Sequence, residues 1–123
     1  MEKKKIIIAE DENIIALDLK KKLENLGFLV PNIVNTGDMA IKFAAIIRPN
    51  LILMDITLKG KLNGIDAGIE IWKRYKIPII YITAYIDDIS IKKCIKFKCN
   101  FDYLIKPIDN DDFTNKIAHA LVA

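Results

Sequence analysis

The stretch Leu51-Ile52-Leu53-Met54-Asp55 decides how this chain is read. Four apolar residues in succession predict a strand buried on both faces, and the run stops on a carboxylate. Strands of parallel α/β sheets are covered by helices on either side, so they read as continuous apolar runs rather than as an alternation. Ligands of such sheets bind in the crevice outside the carboxyl ends of the strands. Asp55 is therefore expected where this architecture places its chemistry, and the reading turns on what else arrives there.

Outward from that strand the same pattern repeats. Lys5 to Ala9 predicts an apolar first strand, with Glu10-Asp11-Glu12 at its carboxyl end. Ile15, Leu19, Leu23 and Leu26 recur at helical spacing, with Gly27 as the stop. Phe28 to Val34 predicts a second strand in which Pro31 suits an edge position or a bulge. Ala40, Phe43, Ala44 and Ile47 form the stripe of a second helix ended by Pro49. After the central strand, a flexible loop with Gly60 and Gly64 leads into a helix carrying Ile65, Ile69, Trp72 and Tyr75. Pro78 opens the strand Ile79-Ile80-Tyr81-Ile82, ending on Thr83. Asp87-Asp88 can cap a helix through Phe97. Phe101 to Ile105 predicts a fifth strand ending at Lys106-Pro107. Asp109 caps a last helix with Phe113, Ile117, Ala120 and Leu121 toward the core. Five strand–helix units with right-handed crossovers predict an α/β fold, a doubly wound, flavodoxin-like parallel sheet of five strands in the order 2-1-3-4-5, helices on both faces.

Size and composition fit one domain over residues 1–123. The chain is 52% apolar with a formal charge of +3, well suited to a globular core and below the basicity expected of a direct nucleic-acid binder. The lysine groups Lys3 to Lys5, Lys20 to Lys22 and Lys92 to Lys98 read as solvated helix faces and a basic terminus. No apolar run is long enough to cross a bilayer, and Glu10-Asp11-Glu12 ends the first one too early for a secretory signal. Cys94 and Cys99 match neither a CxxC motif nor a zinc pair; five apart on a helix, they are expected to face different directions as reduced thiols of a cytoplasmic protein. Trp72 reads as core or helix packing, Tyr75 and Tyr81 carry no evident chemistry, and His119 reads as solvated.

In the order 2-1-3-4-5, strands 1 and 3 are neighbours and the switch point lies between them. Glu10 and Asp11 then face Asp55. Three close carboxylates are tolerated chiefly when they share a cation or a proton. Oxygen ligands without nearby His or Cys favour a hard ion, Mg²⁺ before Mn²⁺ or Ca²⁺. Strand 4 adds the Thr83 hydroxyl and strand 5 the Lys106 ammonium. The set suits phosphoryl transfer to a carboxylate: Asp55 as nucleophile, the metal neutralising charge, Lys106 and Thr83 as donors to phosphoryl oxygens. Taken singly, Asp11 reads as part of a helix cap, Thr83 as a strand-end hydroxyl, Lys106 as solvated and Tyr103 as a half-buried strand aromatic. Their convergence on Asp55 favours the chemical reading.

Glu10-Asp11, Leu53-Met54-Asp55, Asn63-Gly64, Thr83-Ala84, Tyr103 and Lys106-Pro107, in this order and at strand ends, resemble the receiver domain of two-component response regulators from Lys4 to near the C-terminus. The resemblance implies that Asp55 accepts phosphate from a phosphohistidine on a sensor histidine kinase. It implies Mg²⁺ held by Asp11, Asp55 and the backbone carbonyl of Thr57, with Glu10 acting through water. Thr83 and Tyr103 would be the switch, and Lys106–Pro107 would be cis. Three departures stand out: Glu10 where the family more often has Asp, Lys59 where a proline is common in a slightly longer loop, and Thr57 and Tyr85 at positions that tune phosphate lifetime.

Output is expected through helix 4, strand 5 and helix 5, where Lys92, Lys93 and Lys96 would meet an acidic partner. No DNA-binding or catalytic segment follows, so an unidentified output protein, a phosphorelay or a longer parent chain is implied, with the domain monomeric or dimerising on phosphorylation. The same fold as an unphosphorylated docking module is the alternative within this family. A haloacid-dehalogenase-type phosphatase would need a second aspartate where Thr57 stands. A flavodoxin-type flavin carrier would need a hydroxyl- and glycine-rich loop where Glu10-Asp11-Glu12 stands. The expected role is a signalling switch rather than an enzyme.

Overall fold

A computed structural model describes residues 2–58 and 60–122; the expectation for Lys59 lies outside these. Ten elements alternate along the chain: β1 (Ile6–Ala9), α1 (Asn13–Asn25), β2 (Ile33–Val34), α2 (Gly37–Ile47), β3 (Leu51–Asp55), α3 (Gly64–Tyr75), β4 (Ile79–Thr83), α4 (Asp88–Lys96), β5 (Phe101–Ile105) and α5 (Asn110–Leu121). The sheet is parallel, in the order β2-β1-β3-β4-β5. That is the expected doubly wound arrangement.

The continuous apolar runs have a direct packing cause. Successive side chains of a strand point to opposite faces, and here both faces carry a core. Ile7, Ala9, Ile52, Met54, Ile79 and Tyr81 pack under Ala40, Ala44, Ile65 and Ile69 of α2 and α3. Ile6, Ile8, Leu51, Leu53, Ile80 and Ile82 pack under Leu19 and Leu23 of α1 and Phe113 and Ile117 of α5. Every residue of β3 is buried, Asp55 included. The edge strand β5 is different, with only Leu104 buried.

Four local expectations change. The second strand is much shorter than Phe28 to Val34. Ile6 N–H donates to the Leu29 carbonyl at 2.8 Å and Ile8 N–H to Asn32 at 3.3 Å, so three steps on one chain face two on the other. Pro31, which has no N–H, sits in this bulge. Leu26, expected on the α1 stripe, falls at the helix C-cap and is 42% exposed, while Gly27 takes the positive φ of 95°. The α3 stripe is wider than expected: Trp72 and Tyr75 are half-buried, Tyr75 against the core cluster, and Ala67, Gly68 and Ile71 join Ile65 and Ile69 as its buried residues.

The cysteines are the fourth. Helix α4 ends at Lys96, Lys98 takes φ 54°, and Cys99 N–H donates to the Cys94 carbonyl at 3.0 Å while Lys98 N–H donates to Ile95 at 2.9 Å. This pair of bonds is a Schellman ending, which folds the residue after the left-handed position back onto the last helical turn. Cys94 and Cys99 thus join one apolar cluster instead of diverging. Both are free thiols, and burial pushes the Cys94 thiol up to about 11.

Candidate functional site at the strand ends

Strand register assembles the site. Ala9 is opposite Met54, Asp55 opposite Ile82, and Thr83 opposite Ile105. Glu10, one residue past Ala9, is therefore beside Asp55 on the neighbouring strand. Lys106, one past Ile105, must reach across β4 to Asp55. Two strand spacings are about 10 Å, a span suited to a lysine stem and beyond a short side chain.

The reach is made. Lys106 Nζ lies 3.5 Å from Asp55 Oδ2 and 3.5 Å from Glu10 Oε1. Glu10, Asp11 and Asp55 each place one carboxylate oxygen so that all three lie within 4.8 Å of one another. The Lys106–Pro107 bond is cis, as the resemblance implied.

Each carboxylate is held differently. Asp55 Oδ1 accepts from the backbone N–H of Thr57 at 2.9 Å and from its hydroxyl at 3.0 Å. That leaves Oδ2 turned toward Lys106. The hydroxyl of Thr57 as an anchor for Asp55 was not anticipated; a Thr two residues after an Asp, where side chain and backbone close a local turn, is the signal for it. Glu10 Oε2 accepts from Glu12 N–H at 3.2 Å. Its other oxygen, Oε1, is buried and has no hydrogen-bond partner among the described residues. Burial first, and then the neighbouring Asp55 carboxyl, push the Glu10 carboxyl up from 4.5 to about 7. Burial pulls the Lys106 ammonium down, but the charges of Asp55 and Glu10 pull harder, leaving it above its ordinary value.

Gly64 has a packing role that its reading as part of a flexible loop missed. A Cβ there would stand 2.1 Å from the Asp55 carbonyl oxygen, so a hydrogen at this position lets the start of α3 press against the backbone that carries Asp55. Asn63 caps the helix by accepting from Asp66 N–H at 2.9 Å, and Gly64 N–H donates to the Ile56 carbonyl at 3.0 Å. The loop after Asp55 is thus tied down at its far end.

Thr83 and Tyr103 flank this centre. Thr83 is buried, and its hydroxyl donates to the Tyr85 carbonyl at 2.7 Å rather than toward Asp55. Tyr103 is half-buried at the sheet edge. His119 is exposed, as expected.

Lys92, Lys93 and Lys96, the expected α4 patch, are all exposed, and one of them is already engaged within the domain. Lys93 pairs with Asp66 of α3 at 2.8 Å, and Phe97 lies under Lys73 of α3. At 100° per residue the opposite flank of α4 carries Ile91 and Ile95. Ile95, Ile105 and Tyr85 are 62%, 46% and 73% exposed, so the α4–β5 side is apolar.

Carboxylates gathered beside a lysine, at the carboxyl ends of a parallel sheet, fit a receiver-type signalling switch. Residues 6–118 match the model of the response regulator receiver domain, and the chain belongs to that family. It is similar to the phyllosphere-induced regulator PhyR of Methylorubrum extorquens, 43% identical over 81 residues that make up 65% of this chain and 30% of PhyR. It is also similar to the transcriptional regulatory protein PdtaR of Mycobacterium tuberculosis, 29% identical over 118 residues, 96% of this chain and 57% of PdtaR. Among solved structures, the signal receiver domain of a modulated diguanylate cyclase from Desulfovibrio desulfuricans G20 superposes with a TM-score of 0.86 at 29% identity, covering 98% of this chain and 94% of that one. The chain spans 30% of the first curated relative and 57% of the second. No helix among the described residues is long and apolar enough to cross a membrane.

Proposed function

We propose that Asp55 is the phosphoacceptor of a Mg²⁺-dependent switch, loaded from a phosphohistidine of a sensor kinase. The gathering of Glu10, Asp11 and Asp55 around one point, with Lys106 3.5 Å from both Glu10 and Asp55, is the observation that carries this reading. Three close carboxylates facing one ammonium leave excess negative charge, and an all-oxygen set of three carboxylates is the donor chemistry of a hard divalent ion. Asp11, Asp55 and the Thr57 carbonyl would hold the metal, with Glu10 acting through water; Mn²⁺ would substitute. The bound ion would supply neutralising charge for a dianionic phosphoryl group arriving among carboxylates.

The chain's own residues do the rest. Thr57 holds Oδ1, leaving Oδ2 to form the bond to phosphorus as the phosphorus–nitrogen bond of the donor breaks and the pair returns to imidazole. Lys106 Nζ, already 3.5 Å from Oδ2, exchanges Glu10 for a phosphoryl oxygen. Thr83 turns its hydroxyl from the Tyr85 carbonyl to another, and Tyr103 follows into the space behind it. Residues 1–123 form one receiver unit that works in the cytoplasm.

Partner surfaces follow from exposure. On α1, Ile14 and Leu17 are 85% and 60% exposed, and the same helix lines a cleft of about 340 Å³ with Ile15, Asp18, Leu19 and Lys22, closed by Lys106, Pro107 and Ile108. A mixed apolar and charged helix face opening toward Lys106 suits the kinase. Output leaves through the apolar side of α4 and β5, toward a separate partner or a second phosphorylated copy. Incubation with acetyl phosphate and Mg²⁺, read by intact mass, tests the reading. Wild type should gain one phosphoryl group and Asp55→Asn none; the same gain in both, or none in either, overturns it.

A further inference from the structure

Lys116, on α5, makes four contacts, two of them to the proposed switch residue Tyr103 and two to neighbouring carboxylates. Its Nζ donates to the Tyr103 carbonyl at 2.5 Å and stands 4.8 Å from the centroid of the Tyr103 ring. It also lies 3.5 Å from Asp102 Oδ1 and 3.7 Å from Asp112 Oδ2. Tyr103 belongs to β5, the last strand of the sheet, so its carbonyl lies on a free edge and the lysine covers it.

We propose that Lys116 is a positioning residue that latches Tyr103 in its half-exposed state and so sets the threshold of the switch. The inference rests on the reading of Thr83 and Tyr103 as the moving pair. An ammonium within 6 Å of a tyrosine face attracts the ring. This ammonium is fixed at the surface by a main-chain carbonyl and two carboxylates. It cannot follow the ring inward, because a buried ammonium without those partners is strongly disfavoured. Inward rotation of Tyr103 therefore forfeits the ring contact while leaving the other three in place. By linkage, whatever the latch adds to the cost of rotation is subtracted from the affinity for the phosphoryl group at Asp55.

The test uses the full chain labelled with 3-fluorotyrosine and read by fluorine NMR, with Tyr103 assigned through Tyr103→Phe. Wild type, Lys116→Met and Lys116→Arg are compared without any phosphoryl analogue, then titrated with beryllofluoride and Mg²⁺. In Lys116→Met the Tyr103 resonance should move toward its position in beryllofluoride-loaded wild type, a rise of about two- to five-fold in the inward-to-outward ratio. Beryllofluoride should half-saturate this variant at a concentration lower by the same factor. Lys116→Arg, which keeps a cation over the ring, should behave as wild type. An unmoved Tyr103 resonance in Lys116→Met overturns the latch, as does a shift in Lys116→Arg as large as that in Lys116→Met, which would mark a packing effect. A wild-type Tyr103 resonance that ignores bound beryllofluoride overturns the switch reading itself, and the latch with it.

Discussion

The strands β3 and β5 end at the same pocket but are built in opposite ways. β3 is central, every residue is buried, and Asp55 is fixed by Thr57 on one side and by the close approach of Gly64 behind it. β5 is an edge strand with one buried residue, and Tyr103 is held there by surface contacts from Lys116. Bond formation at phosphorus needs an acceptor held in position; a switch needs a residue whose two positions differ little in free energy. The fold places the first demand at the middle of the sheet and the second at its margin.

The sharpest way to break that contrast is by truncation. Leu53→Ala, at a fully buried position, should cost roughly 2–5 kcal/mol, whereas Ile105→Ala, 46% exposed on β5, should stay within about 0.5 kcal/mol. Urea unfolding of both variants checks this, and equal losses would erase the distinction between centre and edge.

A second prediction concerns Glu10. Its folded-state value, about 7 against 4.5, lies above the unfolded one, so its contribution to stability is present below pH 4.5 and is lost as the pH rises through 7. In the absence of metal, Glu10→Gln should gain on wild type across that window. Saturating Mg²⁺ should shrink the gap. A flat difference between pH 4.5 and 7.5 would mean that Glu10 is not strained by its burial.

Gly64→Ala comes next. The added methyl would meet the Asp55 carbonyl at 2.1 Å, so the loop or the strand end must shift, at about 1–3 kcal/mol. Phosphorylation by acetyl phosphate should slow as Asp55 is displaced. Thr57→Val should have the smallest effect, about 1 kcal/mol, because the backbone N–H bond to Oδ1 survives. Stopped-flow phosphorylation of both variants ranks the two, and a larger loss in Thr57→Val would reverse the roles given to them.

Much of this was legible because apolar side chains on both sides of a strand leave an unmistakable run. Ile6-Ile7-Ile8, Leu51 to Met54 and Ile79 to Ile82 each declare a doubly covered strand, and the residue that ends each run then marks the pocket. What depends on through-space geometry was not legible. The bulge at Pro31 follows from the register with β1, and the meeting of Cys94 and Cys99 from a left-handed residue, Lys98, that is not a glycine. The separation of Lys93 from the output face follows from a cross-helix pair with Asp66, a residue 27 positions away. The need for glycine at position 64 appears only once Asp55 and α3 are seen in contact.

The central claim is that Asp55, and neither of the carboxylates beside it, takes the phosphoryl group. Protein treated with acetyl phosphate and Mg²⁺, then reduced with borohydride and mapped by peptide mass, reads this directly, since an aspartyl phosphate is reduced to homoserine. The account predicts homoserine at position 55 with Asp11 unchanged; homoserine at Asp11, or an intact Asp55 in phosphorylated protein, would contradict it.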